Sequence, residues 1–86
     1  MRLVIGLPGR QLAIVGDDAR WLVDELAAAD DLLAARAREA VETGEPLRPS
    51  AAETRTLFAI FERSNRPRTR ELRELEVGLH EAIFRR

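Results

Sequence analysis

Residues 2–15 read RLVIGLPGRQLAIV, two apolar runs on either side of a Pro-Gly pair. Proline presets φ at the second position of a turn and glycine tolerates positive φ at the third, as a type II turn requires. The pattern therefore predicts a β-hairpin in which Leu7 lies opposite Arg10. Because side chains alternate along a strand, this register gathers the bulky residues on one face. We expect that face to be the core side; it consists of Leu3, Ile5, Leu7, Leu12 and Ile14.

The second face of the hairpin is smaller but also apolar, with Val4, Gly6, Ala13 and Val15. An isolated two-stranded hairpin is marginal in water, and its outer edges offer unpaired backbone groups to another chain. A chain this short can cover one face of the hairpin with its own helices, but covering both faces is harder. We therefore favour cover by a partner, most simply a second copy of this chain. The predicted interface residues are Val4, Ala13, Val15 and Trp21; the alternatives are that Val4 and Val15 lie under the chain's own helices and that Trp21 packs over a core edge.

Composition limits the classes of protein to consider. The chain has 86 residues, which is one domain, and no cysteine. All its basic residues are arginine, and this bias, with abundant Ala and Leu, is typical of a GC-rich bacterial genome. The net charge of −1 argues against nucleic-acid binding through bulk charge. No apolar run reaches the ~18 residues of a membrane span, and no signal peptide is recognisable. We expect a cytoplasmic protein.

Residues 17–44 are rich in strong helix formers and repeat apolar residues every three or four positions. Asp17 is the expected N-cap. We favour one continuous or gently kinked helix, although Asp30 and Asp31 could instead cap a second helix after a short break. Gly44 is the expected end, as a C-cap glycine.

Residues 50–86 predict a helical hairpin. Ser50 and Glu53 have the spacing of a capping box, and Thr69 can cap a last helix after a break around Pro67. Gly78 inside that helix costs about 1 kcal/mol relative to alanine, unless something approaches the backbone there. Apolar residues of both helices are expected to complete the core. They are Leu57, Phe61, Leu72, Leu75, Leu79 and Ile83.

Residues with chemical potential are few and have structural explanations. His80 is the only histidine, and Phe84 stands where a zinc-protease helix needs its second histidine. Ser50 is explained by capping, and Ser64 lies outside any nucleophile-elbow context. We therefore expect no catalytic residue, no cofactor and no metal site.

One basic cluster resembles a binding site. We call it the arginine corner, and it consists of Arg63, Arg66, Arg68, Arg70 and Arg73. These arginines lie on both sides of the junction between the last two helices, an arrangement that weakly resembles a helix-turn-helix unit. Glutamates that alternate with these arginines oppose phosphate binding. The corner is explained by a solvated, salt-bridged surface, by an acidic protein partner, or by nucleic acid.

These observations predict an α+β fold, an N-terminal β-hairpin followed by three or four α-helices, mainly helical. We expect a single domain over 1–86, with the hairpin in 1–16, a long helix or helix pair in 17–44 and a helical hairpin in 50–86. The leading hypothesis is a non-enzymatic protein–protein interaction module that forms a dimer through the hairpin. The alternative is a small nucleic-acid-binding regulator that uses the arginine corner. A dedicated protein partner is a third possibility.

Overall fold

In the computed structural model, which describes residues 1–85, two strands precede four helices. The strands are β1 (Arg2–Leu7) and β2 (Arg10–Val15), and the helices are α1 (Gly16–Ala29), α2 (Asp31–Thr43), α3 (Ala51–Arg63) and α4 (Arg70–Phe84). The described residues span 33 × 25 × 22 Å. The predicted α+β class, mainly helical, is confirmed.

The hairpin has the predicted register. β1 and β2 pair in antiparallel fashion with Leu7 opposite Arg10 and Ile5 opposite Leu12. Gly9 has the positive φ, 76°, that the turn requires. The bulky face is the core side: Leu3, Ile5, Leu7 and Ile14 are buried and Leu12 packs against the core from its margin.

The outer edge of β1 is occupied by the chain itself. The N–H of Gly6 donates to the carbonyl of Leu47 at 2.8 Å, and the N–H of Leu47 donates to the carbonyl of Val4 at 2.8 Å. Leu47 thereby forms a parallel bridge with Ile5. The expectation that both outer edges of the hairpin are free is wrong for β1, because Leu47, in the connector between α2 and α3, forms a one-residue bridge there.

Residues 17–44 form two helices, so the favoured continuous helix is wrong and the alternative is confirmed. Asp30 is extended, with φ −159° and ψ 100°, and its carboxylate accepts a hydrogen bond from the N–H of Leu33. The predicted cap at Asp17 is also wrong. The N-cap is Val15, two residues before the predicted one, so the helix begins at Gly16 with no side-chain cap. Gly44 ends α2 in the left-handed conformation, as predicted.

The helical hairpin of α3 and α4 has the predicted caps. Ser50 and Glu53 form the capping box of α3, and the hydroxyl of Thr69 accepts a hydrogen bond from the N–H of Leu72 at the start of α4. The two helices place six side chains fully inside the core, and Ile83, also predicted there, is only half-buried. The six are Leu57, Ile60, Phe61, Leu72, Leu75 and Leu79.

Gly78 marks the place where α4 touches the turn of the hairpin. A Cβ atom at this position would lie 2.9 Å from Cδ1 of Leu7 and 3.3 Å from Cδ of Arg10. Contacts under 3.0 Å require a neighbour to move, so the missing side chain allows the close approach. This confirms the predicted reason for a glycine inside the helix.

Candidate interaction surfaces

The second face of the hairpin is partly covered by the chain itself. Val4 is 7% exposed, whereas Val15 is 53% exposed and Ala13 is half-buried. A Cβ atom on Gly6 would lie 2.9 Å from Nη1 and 3.4 Å from Cγ of Arg48. Because Gly6 and Val4 share a face, the side chain of Arg48 lies across this face. The accessible apolar part is therefore at the Val15 end.

The outer edge of β2 pairs with no other strand within residues 1–85. In an antiparallel ladder, opposite residues either bond to each other or both direct their backbone groups outward. Gly6 and Val4 direct their backbone groups away from β2, where the N–H of Gly6 and the carbonyl of Val4 bond to Leu47. Their partners across the ladder, Gln11 and Ala13, therefore direct N–H and C=O away from β1, and so does Val15 two residues on.

What holds the Leu47 segment in place is an arginine of α2. The guanidinium of Arg36 donates to both carboxylate oxygens of Glu53 and, at 3.0 Å, to the carbonyl of Arg48. The N–H of Ser50 also donates to the Glu53 carboxylate, at 2.8 Å. Arg36 first, and then Ser50, hold the pKa of Glu53 below its ordinary value of 4.5. One ion pair thus joins α2, the connector and the start of α3.

Trp21 packs over an edge of the core, as the alternative interpretation predicts. Its ring meets that of Phe61 edge to face, with centroids 5.7 Å apart. The guanidinium carbon of Arg66 lies 5.4 Å from the Trp21 centroid. Trp21 is half-buried by these neighbours, so it joins α1 to α3 and to the loop that follows α3. Its predicted role at an interface stays a prediction.

The structure divides the arginine corner into inward and outward members. Arg66 pairs with Asp18 of α1, Nη2 to Oδ1 at 3.0 Å, and Thr69 donates its hydroxyl to the same carboxylate at 2.9 Å. Arg68 turns back onto the end of α3 and donates to the carbonyl of Phe61 at 2.6 Å. These two arginines tie the loop between α3 and α4 to the body of the protein.

The outward members lie on two different surfaces. Arg63 is exposed at the end of α3. Arg70 and Arg73 line a shallow groove of about 460 Å³ along the outer side of α4. We call it the α4 groove, and its lining residues are Arg10, Arg68, Arg70, Arg73, Glu74 and Val77.

Arg10 is the lining residue that the sequence did not predict. It begins β2, far from Arg68 in the chain, and it reaches the groove because α4 crosses the hairpin at Gly78. The unexplained glycine inside α4 was the one signal that something from elsewhere in the chain contacts this helix. It did not indicate which residue.

An aromatic cluster lies farther along the same side of α4. The rings of His80 and Phe84 are 4.7 Å apart, and Phe58 of α3 lies 5.7 Å from His80. Phe84 is 60% exposed. Glu76, one turn before His80, is engaged elsewhere, since its carboxylate accepts a hydrogen bond from Nε of Arg68 at 3.0 Å.

Across residues 1–85, no three histidine, aspartate or glutamate side chains gather closely enough to hold a metal ion. No helix in that range is both long and apolar enough to cross a bilayer. Comparison of the chain with protein-family models, with curated proteins and with solved structures finds no match.

Proposed function

We propose that this chain is a non-enzymatic protein–protein interaction module that self-associates as a dimer through its N-terminal hairpin. The observation that carries the proposal is the outer edge of β2, which presents backbone N–H and C=O groups beside the exposed Val15. Unpaired strand edges readily add a strand from another chain.

The simplest dimer pairs β2 of one copy with β2 of the other across a two-fold axis at Ala13. In that arrangement Ala13 lies opposite its own copy, and Gln11 lies opposite Val15. Such an isologous contact is the commonest form of self-association among soluble proteins. The small side chain of Ala13 leaves room at the axis, and the two Val15 side chains are covered by the partner strand.

The non-enzymatic part of the proposal rests on how the reactive side chains are used. Ser50 caps α3, and Ser64 accepts a hydrogen bond from the N–H of Arg66. His80 lies among aromatic rings. Each of these side chains therefore has a structural role.

Substitution of Val15 by lysine tests the dimer. Lysine on an edge strand opposes pairing, so we expect Val15→Lys to weaken dimerisation by at least about tenfold, or about 1.4 kcal/mol. Light scattering after size exclusion should give twice the 9.7 kDa chain mass for the wild type and the chain mass for the variant. Ala13→Pro, which removes an outward N–H, should act in the same way.

Leu32→Lys is the matched control. Leu32 is 79% exposed on α2, so this variant removes a more exposed apolar side chain from a different surface. It should remain dimeric, and far-UV circular dichroism should show unchanged helix content in all variants. A wild type that stays at the chain mass at every concentration, or a dimer indifferent to Val15→Lys, would show that the hairpin edge is not the contact.

A further inference from the structure

The α4 groove concentrates positive charge on a chain whose overall charge is negative. Four arginines and one glutamate line it. Arg68 is paired with Glu76 and Arg70 with Glu74, while no carboxylate of residues 1–85 lies within ion-pair distance of Arg10 or Arg73. The groove therefore has cationic groups left to pair with an anionic partner.

The arginines are mounted on elements held by the core. The side chain of Arg10 crosses α4 at Gly78, where its Cδ would be 3.3 Å from an added Cβ. Arg68 is fixed by hydrogen bonds to the end of α3. Groups held in place before binding lose less conformational entropy when a ligand pairs with them, which applies to Arg68 and to the stem of Arg10, whereas Arg70 and Arg73 are exposed.

An exposed apolar stripe continues from the groove along α4. Val77 lines the groove and is 48% exposed, and Phe84 lies seven residues on, which is the same side of a helix two turns later. Phe58 of α3 borders Phe84 at 6.0 Å between ring centroids. Cations at one end and aromatic surface at the other form an amphipathic track.

We propose that the α4 groove binds an acidic, apolar-containing peptide segment of a partner protein. Its carboxylates pair with Arg10 and Arg73 and compete with Glu74 for the exposed Arg70, and its apolar side chains pack on Val77 and Phe84. Arginine suits this role because its planar guanidinium binds a carboxylate through two parallel hydrogen bonds. Charge complementarity sets the orientation of the segment, and the apolar track supplies buried area.

Nucleic acid fits the groove less well. Glu74 forms part of the wall, and Glu71 is exposed in the first turn of the same helix. Both carboxylates repel any anion, and this repulsion is greater for a nucleic acid, which carries a phosphate at every nucleotide, than for a peptide with carboxylates at only some positions. The apolar side chains of Val77 and Phe84 also gain nothing from a sugar-phosphate backbone, whereas they match a peptide.

Selection from a phage-displayed library of random dodecapeptides on the full-length protein tests the proposal. We expect the selected peptides to be rich in Asp and Glu and to contain apolar residues. Fluorescence anisotropy with the labelled peptides should then show affinity that falls with salt and falls by at least about tenfold in the double variant Arg70→Glu, Arg73→Glu. Both residues are exposed, so the variant should keep its circular dichroism spectrum.

Two controls separate this surface from others. Arg63→Glu makes the same charge reversal on an exposed arginine outside the groove and should leave peptide affinity unchanged. Val15→Lys, expected to be monomeric, should bind peptide as the wild type does, so the two proposals fail independently.

Three results would overturn the assignment. The first is a selection without an acidic consensus, or peptides indifferent to the Arg70 and Arg73 reversals. The second is binding of mixed-sequence DNA or RNA in the same assay, lost in that double variant, which would assign the groove to nucleic acid. The third is a change in the mass of the wild-type assembly on reversal, which assigns the groove to a contact between copies.

Discussion

Arg68 closes the C-terminal end of α3. Its guanidinium donates to the carbonyls of Phe61, Ser64 and Arg66 and to the carboxylate of Glu76, and its guanidinium carbon lies 5.4 Å from the centre of the Phe61 ring. The last carbonyls of a helix have no partner within the helix, so a side chain that returns to them stabilises its end. The main role of Arg68 is therefore structural, because its guanidinium is engaged within the protein even though the residue lines the α4 groove.

Replacing Arg68 by lysine tests this role. Lysine keeps the charge but lacks the planar fork, so it satisfies fewer of these acceptors at once. We expect Arg68→Lys to lower the free energy of unfolding by about 1–3 kcal/mol, measured by urea denaturation. Arg63→Lys, on an exposed arginine, should change it by less than about 0.5 kcal/mol. Equal stability of the two variants would mean that Arg68 contributes through charge alone.

The sequence indicated that these arginines cluster but not which ones turn inward. Arg66 pairs with Asp18, which lies 48 positions away in the chain. Arg10, near the N-terminus, contacts α4, near the C-terminus, at Gly78. Residue spacing in the sequence predicts side-chain contacts within one or two turns of the same helix. These contacts join distant segments, and they depend on how the helices pack. The five arginines of the predicted corner are therefore divided between an inward pair, Arg66 and Arg68, and outward members on two surfaces, and their role in binding stays a prediction.

At the scale of the element, helix ends were predictable where the cap lies within the same turn. The capping box at Ser50 and the glycine at position 44 are such cases. Asp17 does not cap α1 because β2 runs directly into the helix at Gly16. Its neighbour Asp18 instead accepts hydrogen bonds from Arg66 and Thr69, which lie about 50 positions later in the chain. The break at Asp30 was ambiguous because helix formers flank it on both sides.

The start of α3 should give the protein a pH-dependent stability. Arg36 and Ser50 lower the pKa of Glu53 in the folded state. The ionised carboxylate therefore stabilises the fold at pH values above 4.5, the ordinary pKa of this group. That contribution is lost as the pH falls through the folded pKa. We expect Glu53→Gln to be about 1 kcal/mol less stable than the wild type at pH 7.

Urea denaturation from pH 7 down to pH 3 measures this difference. The gap between Glu53→Gln and the wild type should narrow as the pH falls, because the wild-type carboxylate becomes neutral as well. Glu62→Gln, an exposed position on the same helix, should match the wild type at pH 7. A gap that stays constant through the acid range would mean that the variant acts through packing and not through charge.

At the scale of the whole molecule, one core joins the hairpin to all four helices. Its continuous set of buried side chains includes Ile5 of β1, Leu22 of α1 and Leu33 of α2. Leu57 of α3 and Leu75 of α4 belong to the same set. The domain prediction for 1–86 stays a prediction, and unfolding is the way to test it.

A single core predicts a single unfolding transition. Trp21 reports on the junction of α1 and α3, while far-UV circular dichroism reports on all helices together. We expect the two signals to follow the same curve in urea at fixed protein concentration, as a two-state domain does. Fluorescence that changes before the helices melt would show that the hairpin half and the helical hairpin unfold separately.

The bridge between Leu47 and Ile5 bears on the order in which the molecule folds. β1 is the first element in the chain, but its second edge is completed only by a residue that follows α2. Bringing Leu47 to β1 closes a loop of about 40 residues, which costs more chain entropy than the short turn between β1 and β2. We therefore expect the N-terminal hairpin to form early and the bridge to form late, once α1 and α2 have brought Leu47 back to β1.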